Sequence, residues 1–206
     1  MKNMDNDTGE RVKEIVSKDA DIKLILKKHK KWVEGNSGGE RANLMNLDLV
    51  GIVLQGVDLQ EVNLEGANLS GADLRVSNLS NANLSNTDLS TVYLRGAHLR
   101  GACLKGANLL NANLQGADLA GSNLRGCNLS GAKLRGANLQ GADLRNADLS
   151  NSDLRGAELW YANLLNANLC GANLRGADLR DVDFNCVDMK LAINLPEQAK
   201  KFYGIE

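Results

Sequence analysis

The chain has 206 residues with only 3% aromatics, one proline and 21 glycines, which excludes a conventional globular core built from large side chains. Its formal net charge of -1 argues against a basic protein that follows a phosphate backbone and equally against a strongly acidic one. No segment approaches the roughly 20 apolar residues that span a bilayer, and the first residues lack a signal-peptide pattern. The sequence therefore predicts a cytoplasmic protein without a membrane partner.

Residues 1–41 are predicted to form an N-terminal helical cap. A short helix is expected over residues 10–17, and a longer helix, N-capped by Asp19 or Asp21, is expected to end at Gly35. The apolar residues of the longer helix follow the i, i+3, i+4, i+7 spacing, and they are Ile22, Ile25, Leu26, His29, Trp32 and Val33. Because the open end of a repeat array exposes unpaired backbone and apolar side chains, we expect this face to cover the first repeats.

Residues 42–191 are an uninterrupted series of five-residue blocks. Position one is mostly Ala, position two is mostly Asn or Asp, and position three is Leu from Leu44 to Leu179, then Phe184 and Met189. An α-helix is excluded, because a five-residue step rotates successive leucines by about 140° and leaves them without a common stripe. In a short strand, positions one and three share a face, so Ala and Leu are predicted to point inward together.

Position five predicts a corner after each short side. It is mostly Gly or Asn, the residues that best tolerate a positive φ at the second central position of a type II turn. Position four follows steps of twenty residues, as in Ser70, Ser90, Leu110, Ser130 and Ser150, which predicts four sides per coil; the alternative source of this period is ancient duplication. The Asn and Asp side chains of position two are expected to accept a hydrogen bond from the turn, as in Asx-turns, and not to bind calcium.

Residues 192–206 are predicted to form a C-terminal cap. Pro196 is expected to start a short helix that runs to about Tyr203. Phe202, Tyr203 and Ile205 either cover the last coil or pair with a second copy of the chain.

The A-[DN]-L-x-[GN] blocks of residues 42–191 resemble the pentapeptide repeat family. The resemblance implies an all-β fold, a right-handed quadrilateral parallel β-helix, here of about 7.5 coils with four blocks in each. It implies no catalytic residue, no cofactor and no metal, because the family's motif is the scaffold itself. Related proteins often dimerise end to end. Some bind DNA gyrase as mimics of duplex DNA, a role that implies a continuous negative surface.

Few residues are candidates for chemistry. His29 falls on the apolar face of the longer helix, where we expect a buried structural role. His98 takes position two between Tyr93 and Cys103 in neighbouring blocks. Because consecutive blocks lie on sides about 90° apart, these three side chains are not expected to meet as a nucleophile and base. The cysteines match no CxxC motif and are predicted to be free thiols, and they are Cys103, Cys127, Cys170 and Cys186.

One candidate partner-binding patch interrupts the repeats at GAELWYANLLNANLC, residues 156–170. It consists of Trp160, Tyr161, Leu165 and Cys170. In one interpretation, Trp160 stacks on Arg180 one coil further along and Tyr161 covers the space beside Gly141. In the other, the aromatic residues form an exposed hot spot for a partner protein.

A second candidate surface follows an arginine column at position four. It consists of Tyr93, His98, Arg75, Arg95, Arg135, Arg155 and Arg175. Aspartates stand two residues before Arg75 and Arg155, and likewise before Arg145 and Arg180. One interpretation of the arginine column is a phosphate-binding stripe. Because the aspartate–arginine pairs are within reach of each other, we favour a solvated, nearly neutral face and no nucleic-acid partner.

The sequence therefore predicts a non-enzymatic structural or protein-interaction scaffold whose protein partner is unidentified. The alternative is a DNA-mimic modulator of DNA gyrase or topoisomerase. Residues 42–191 contain 12 basic and 15 acidic residues, and this near balance disfavours the mimic.

Overall fold

A computed structural model describes residues 21–184 and 186–204 of the chain. The chain divides into two compact units, Met1–Asn43 and Leu44–Glu206. The helix predicted over residues 10–17, the predicted N-cap Asp19 and the predicted contact residue Ile205 lie outside the described residues. The domain boundaries after residues 41 and 191 stay predictions.

The first unit contains the longer predicted helix, α1, whose described part covers residues 21–33. Asp21 is already helical, so the prediction of Asp21 as the N-cap is wrong, because an N-cap residue lies outside the helical turn. Gly35 has a φ of 69°, and the Asn36 N–H donates to the Lys31 carbonyl at 2.8 Å. This left-handed glycine ends α1 as predicted.

His29 has a structural role in this unit, as predicted. Its side chain is fully buried, and its ring stacks on the Trp32 ring with 5.5 Å between centroids. Its Nδ1 accepts a hydrogen bond of 3.1 Å from the Ala42 backbone N–H. Because Nδ1 is an acceptor here, the neutral imidazole carries its proton on Nε2.

The second unit is a β-helix in which the chain pairs with itself every twenty residues. Parallel bridges join most position-two residues to those twenty residues later, from Asp48 and Asn68 to Asn173 and Ile193. In the first of these, the Leu49 N–H donates to the Asn68 carbonyl at 2.7 Å. Each coil thus has the four predicted sides, and each side is so short that only its middle residue forms a bridge.

The four sides can be named from their blocks. The first side includes block 62–66, the second begins with block 47–51, the third with 52–56 and the fourth with 57–61, and each recurs every twenty residues. Every block ends in a corner. At one of them the Ile52 N–H donates to the Leu49 carbonyl at 3.1 Å, and Gly51 between them has a φ of 65°. This is the predicted type II geometry.

The polar side chains of position two support these corners. The Asn68 Oδ1 accepts a hydrogen bond of 3.1 Å from the Ser70 backbone N–H, and the Asp88 Oδ1 accepts one of 2.9 Å from the Ser90 N–H. The same contact recurs in most blocks. The predicted Asx-turn role of position two is therefore confirmed.

The interior consists of the Leu and Ala side chains of positions three and one, as predicted. Leu44, Leu119 and Leu179 are each at most 1% exposed. Some position-one residues are polar, and the Thr87 hydroxyl donates to the Leu64 carbonyl at 2.9 Å. The buried hydroxyl of Ser122, by contrast, has no hydrogen-bond partner among the described residues. A buried hydroxyl without a partner costs free energy.

Ser122→Ala is expected to raise the free energy of unfolding by about 1 kcal/mol, because it removes an unsatisfied hydroxyl and installs the usual residue of position one. Urea unfolding followed by circular dichroism measures the change. Ser77 provides the matched control, since its hydroxyl donates to the Leu74 carbonyl at 2.7 Å, and Ser77→Ala is expected to lower the free energy by about 1 kcal/mol. Equal losses in both variants would contradict the assignment.

The repeats end in helix α2, Glu197–Tyr203. Pro196 is its N-cap and Gly204, with a φ of 62°, its C-cap, which confirms the predicted short helix. The Phe202 ring lies 5.6 Å from the Phe184 ring, although 49% of Phe202 stays exposed. This contact supports the covering role of Phe202. No helix within the described residues has the length and apolar character needed to cross a bilayer.

Candidate protein-binding surfaces

The aromatic cluster, defined as Trp160, Tyr161 and Arg180, lies at the corner that follows the fourth side. The Trp160 and Tyr161 rings are 5.3 Å apart between centroids and tilted by 46°. The Arg180 guanidinium, one coil further along, lies 5.9 Å from the centre of the indole. The predicted stacking of Trp160 on Arg180 is therefore confirmed.

The predicted position of Tyr161 beside Gly141 is wrong. A Cβ placed on Gly141 would meet no atom within 4 Å, so the tyrosine ring does not cover that space. The reason is local, because Tyr161 occupies the same corner as Trp160 and its ring packs sideways on the indole. The cluster thus joins two neighbouring residues of one coil with Arg180 of the next.

Arg180 is held over the indole by a second contact. Its Nε and Nη2 donate to the Asp178 carboxylate, the latter at 2.6 Å. This side-chain hydrogen bond lowers the pKa of Asp178 below its ordinary range. Because the carboxylate fixes the guanidinium, Trp160 stacks on a cation whose position is already set.

The other residues of the predicted patch lie at the next two corners of the same coil. Leu165 is 42% exposed and Tyr161 is 60% exposed, whereas Cys170 is half-buried. The contact between Trp160 and Tyr161 joins two of the four predicted residues. Leu165 and Cys170 belong to the same surface only if a partner spans more than one corner.

The third side carries a marked excess of positive charge. Its six basic residues are Arg75, Arg95, Lys133, Arg135, Arg155 and Arg175, and its two acidic residues are Asp73 and Asp153. The prediction of a nearly neutral face is therefore wrong. Two of the four predicted aspartate–arginine pairs lie elsewhere, because Asp143 stands on the first side and Asp178 on the fourth.

All four predicted pairs form, and two of them neutralise part of the third side. Arg75 Nη2 lies 2.6 Å from Asp73 and Arg155 Nη2 lies 2.7 Å from Asp153. Among the described residues, Arg95, Arg135 and Arg175 have no ion-pair partner within 4.0 Å, and all three are exposed. Three guanidinium groups of this column are therefore outside ion pairs, and of these Arg135 also acts through its charge on Asp153, whose pKa it helps to lower.

The neighbouring sides have the opposite charge. The fourth side holds six acidic residues, Asp58, Glu61, Asp118, Glu158, Asp178 and Asp181, and two basic residues, Arg100 and Arg180. The second side holds four acidic residues and one basic residue, Lys190. A chain whose net charge is close to zero thus presents one positive side between two negative ones.

Acid is expected to destabilise the aspartate–arginine pairs. Side-chain hydrogen bonds from the arginines lower the pKa values of Asp73, Asp143, Asp153 and Asp178 below their ordinary value of 3.8. Because the folded-state pKa is the lower one, each pair stabilises the fold above the unfolded pKa, and this contribution is lost as the pH falls through the folded pKa. Replacing these four aspartates with Asn should therefore flatten the fall in Tm between about pH 5 and about pH 2.

A matched variant tests this pH dependence. The aspartates Asp48, Asp58, Asp88 and Asp148 have no basic residue two positions later, and Asn preserves the Asx-turn at every site. We expect their replacement to flatten the acid branch less. An equal flattening in both variants would show that the arginine partners contribute nothing.

Tyr93, His98 and Cys103 lie on the third, fourth and first sides, respectively. The partner of the Cys103 sulfur is the Ser85 hydroxyl oxygen, 3.1 Å away. All four cysteines are free thiols as predicted, and burial raises the pKa of Cys127 to about 12. His98 lies next to the corner that carries Arg95, so the second predicted surface spans the third and fourth sides.

Comparison with known proteins identifies the family. The family model described as "Pentapeptide repeats (8 copies)" matches residues 40–75, 77–111, 112–151 and 147–185. The chain belongs to the pentapeptide repeat family. As a pentapeptide repeat protein it is built on a general repeat scaffold. None of the curated protein sequences matches it.

Three solved pentapeptide repeat structures illustrate the likeness. HetL of the cyanobacterium Nostoc sp. strain PCC 7120, a protein involved in heterocyst differentiation regulation, is 32% identical over 80% of this chain and 94% of its own, with a TM-score of 0.45. QnrB1, a plasmid-mediated fluoroquinolone resistance protein, is 21% identical over 80% and 92%, with a TM-score of 0.47. A protein of the Arabidopsis thaliana thylakoid lumen is 27% identical over 58% and 69%, with a TM-score of 0.34.

The separation of charge by sides was not predicted. The arginine column of this pentapeptide repeat protein was predicted, but the acidic fourth side, which includes the corner residues Glu61 and Asp181, was not. The available signal was the twenty-residue period. Writing the sequence in rows of twenty places each side in one column and brings the opposite charges of adjacent sides into view.

Proposed function

We propose that this pentapeptide repeat protein is a non-enzymatic protein-interaction scaffold whose aromatic cluster, together with Leu165, anchors a partner protein. One observation carries the proposal: Tyr161 is 60% exposed and Leu165 is 42% exposed, on a coil where Arg180 and Tyr161 hold Trp160 in place. Exposed aromatic side chains with fixed positions are favoured anchors, because binding costs them little conformational entropy.

The backbone at Tyr161 supports a binding role. Tyr161 has a φ of 58°, a left-handed conformation that disfavours a bulky residue by about 1–2 kcal/mol. Gly or Asn serves this position in most blocks, so the fold does not need a tyrosine there. Val76 and Leu191 take the same conformation, so the corners of this fold tolerate bulky residues, and the strain at Tyr161 supports recognition only together with its exposed ring.

Site-specific photo-crosslinking in cells of the native source tests this proposal. A photoreactive phenylalanine analogue at Tyr161 is expected to give a discrete crosslinked product. The same analogue at Leu110 is the matched control, because Leu110 also occupies an outward position and is 38% exposed. Trp160→Ala should reduce the crosslink from position 161, since it removes the neighbouring ring. Identical products from positions 161 and 110, or none from 161, would overturn the proposal.

The DNA-mimic alternative is disfavoured by the third side, because its excess of positive charge interrupts any continuous negative surface. We expect DNA gyrase supercoiling to be unaffected by the protein at micromolar concentration. Inhibition or protection of gyrase at that concentration would support the DNA-mimic alternative. A variant that reverses the charge of Arg95 would then show whether the positive third side weakens the action on gyrase.

Several finer features of the proposal rest on the sequence alone. These are the right-handed sense, about 7.5 coils from thirty blocks at four per coil, a cytoplasmic location, and a homodimer through the C-terminal end. Analytical ultracentrifugation of Phe202→Ala against the parent chain tests the dimer. An unchanged sedimentation coefficient would remove it.

A further inference from the structure

We propose that the third side of the β-helix binds an acidic α-helix of a partner protein, laid along the arginine column with carboxylates seven residues apart. The inference rests on the proposed function only in treating the chain as a protein-binding scaffold, since this surface is separate from the aromatic cluster. It names a second site and the chemistry of its ligand.

The spacing of the free guanidinium groups carries the proposal. Arg95, Arg135 and Arg175 follow one another at steps of forty residues, which is two coils. At about 4.8 Å per coil, neighbouring members of this set are about 9.6 Å apart. Carboxylates seven residues apart on an α-helix are about 10.5 Å apart. The mismatch of about 1 Å per step lies within the reach of a flexible arginine side chain.

The other two arginines of the column are already occupied, and Gln115 stands between Arg95 and Arg135. Arg75 and Arg155 donate bidentate hydrogen bonds to Asp73 and Asp153. From Arg95 to Arg175 the third side therefore presents unpaired guanidinium groups at every second coil, with Lys133 beside Arg135, and the spacing of these guanidinium groups is close to that of a heptad.

The charge of the flanking sides favours a narrow acidic ligand. The fourth side carries six acidic residues and the second side four, so a broad polyanion that overhangs the third side meets repulsion at both edges. Successive carboxylates in a heptad drift around an α-helix by only about 20°, so three of them stay over the column. The phosphates of a duplex strand rotate away by about 100° over three base pairs, and the second strand would overhang an acidic side.

Tyr93 supplies an apolar contact on the same side. It is 51% exposed and stands two residues before Arg95, and Val53, two coils earlier in the same column, is 71% exposed. An amphipathic acidic helix has an apolar residue three or four positions from each carboxylate. Such a residue would pack on the Tyr93 ring and add affinity that charge alone does not give.

A second copy of this chain is a poorer ligand for the third side. A closed dimer with two-fold symmetry brings the same surface of each copy together, and two positive sides repel. The third side of one copy against the acidic fourth side of another is a heterologous contact, which continues into open assemblies. Sedimentation of the parent chain at low salt would reveal such assemblies.

The test measures peptide binding to the full-length protein by fluorescence anisotropy. The probe is a helical peptide of about three heptads with one glutamate per heptad on a single face. A control peptide has the same composition but glutamates five residues apart, which scatters them around the helix. The combined Arg95→Gln, Arg135→Gln and Arg175→Gln variant is compared with Lys105→Gln, Arg125→Gln and Lys190→Gln, which makes the same charge change on other sides.

We expect the heptad peptide to bind more tightly than the control peptide, and the third-side variant to weaken its binding by about tenfold or more while the control variant retains it. Equal affinity for the two peptides, equal losses in the two variants, or no binding at all would overturn the proposal. Tighter binding of a single-stranded oligonucleotide of equal charge would overturn it in favour of nucleic acid. Because Tyr161 is intact in every variant, failure here leaves the crosslinking result at the aromatic cluster unaffected.

Discussion

Leu119→Asp is expected to abolish cooperative unfolding of the β-helix. Leu119 is 1% exposed, in the middle of the leucine ladder, the stack of buried position-three leucines that runs through the interior. A carboxylate there would lie among apolar side chains. An unpaired buried charge costs several kcal/mol. This is a large part of the free energy of unfolding of a typical domain, which is about 5–15 kcal/mol. Because each coil is stabilised by its two neighbours, a break at the centre affects both halves. Thermal unfolding followed by circular dichroism measures the loss.

Two further variants separate the effect of the buried charge from the effects of lost side-chain volume and of an exposed charge. Leu119→Ala removes side-chain volume without adding charge and is expected to cost about 2–5 kcal/mol. Leu110→Asp introduces the same carboxylate at an outward position that is 38% exposed, where little change is expected. A soluble Leu119→Asp protein with the parent melting curve would be incompatible with the four-sided interior.

Gly131→Val is expected to destabilise the fold by about 2–3 kcal/mol, for two separable reasons. Gly131 has a φ of 66°, a region that β-branched residues avoid. A Cβ there would also overlap the Oδ1 atom of Asn111, the corner residue of the preceding coil. Urea unfolding gives the total effect.

Gly116 separates the two causes. It has a φ of 63°, but a Cβ added to it meets nothing within 4 Å. Gly116→Val should therefore cost about 1–2 kcal/mol from backbone strain alone. Combining Gly131→Val with Asn111→Gly should bring the loss down to that level. If the double variant is as unstable as Gly131→Val, the contact with Asn111 contributes nothing.

The fold was predictable because its determinants are local and repeated. A leucine at the third position of nearly every block and Gly or Asn at the fifth position of most blocks specify a short side and a corner. The backbone pairing follows from the twenty-residue recurrence. His29 was equally predictable, since its place on an apolar helix face indicated burial. Position-two Asn and Asp were assigned correctly because an Asx-turn requires only atoms two residues apart.

The surfaces were less predictable, because they depend on the directions of long side chains and on neighbours one coil away. The Tyr161 ring packs on Trp160, a contact that the five-residue pattern does not specify. The aspartate–arginine pairs were recognised from a two-residue spacing, but their effect on each side required knowing which blocks share it. Asp21 failed as an N-cap because α1 already includes it, and capping residues recur at several positions ahead of a helix, so the sequence alone does not fix its first residue.

The interior of the β-helix repeats every five residues, whereas each outer side repeats every twenty. A gain or loss of one block therefore leaves the leucine ladder intact but shifts every later block onto the neighbouring side, so the arginines beyond that point would join a different column. Only changes of a whole coil preserve both periods. The interior therefore tolerates length changes of five residues at little cost. A binding surface that runs along one side is preserved only by length changes of twenty residues. Length variants that retain or lose function would thus show whether the cell requires the outer surface or only the folded interior.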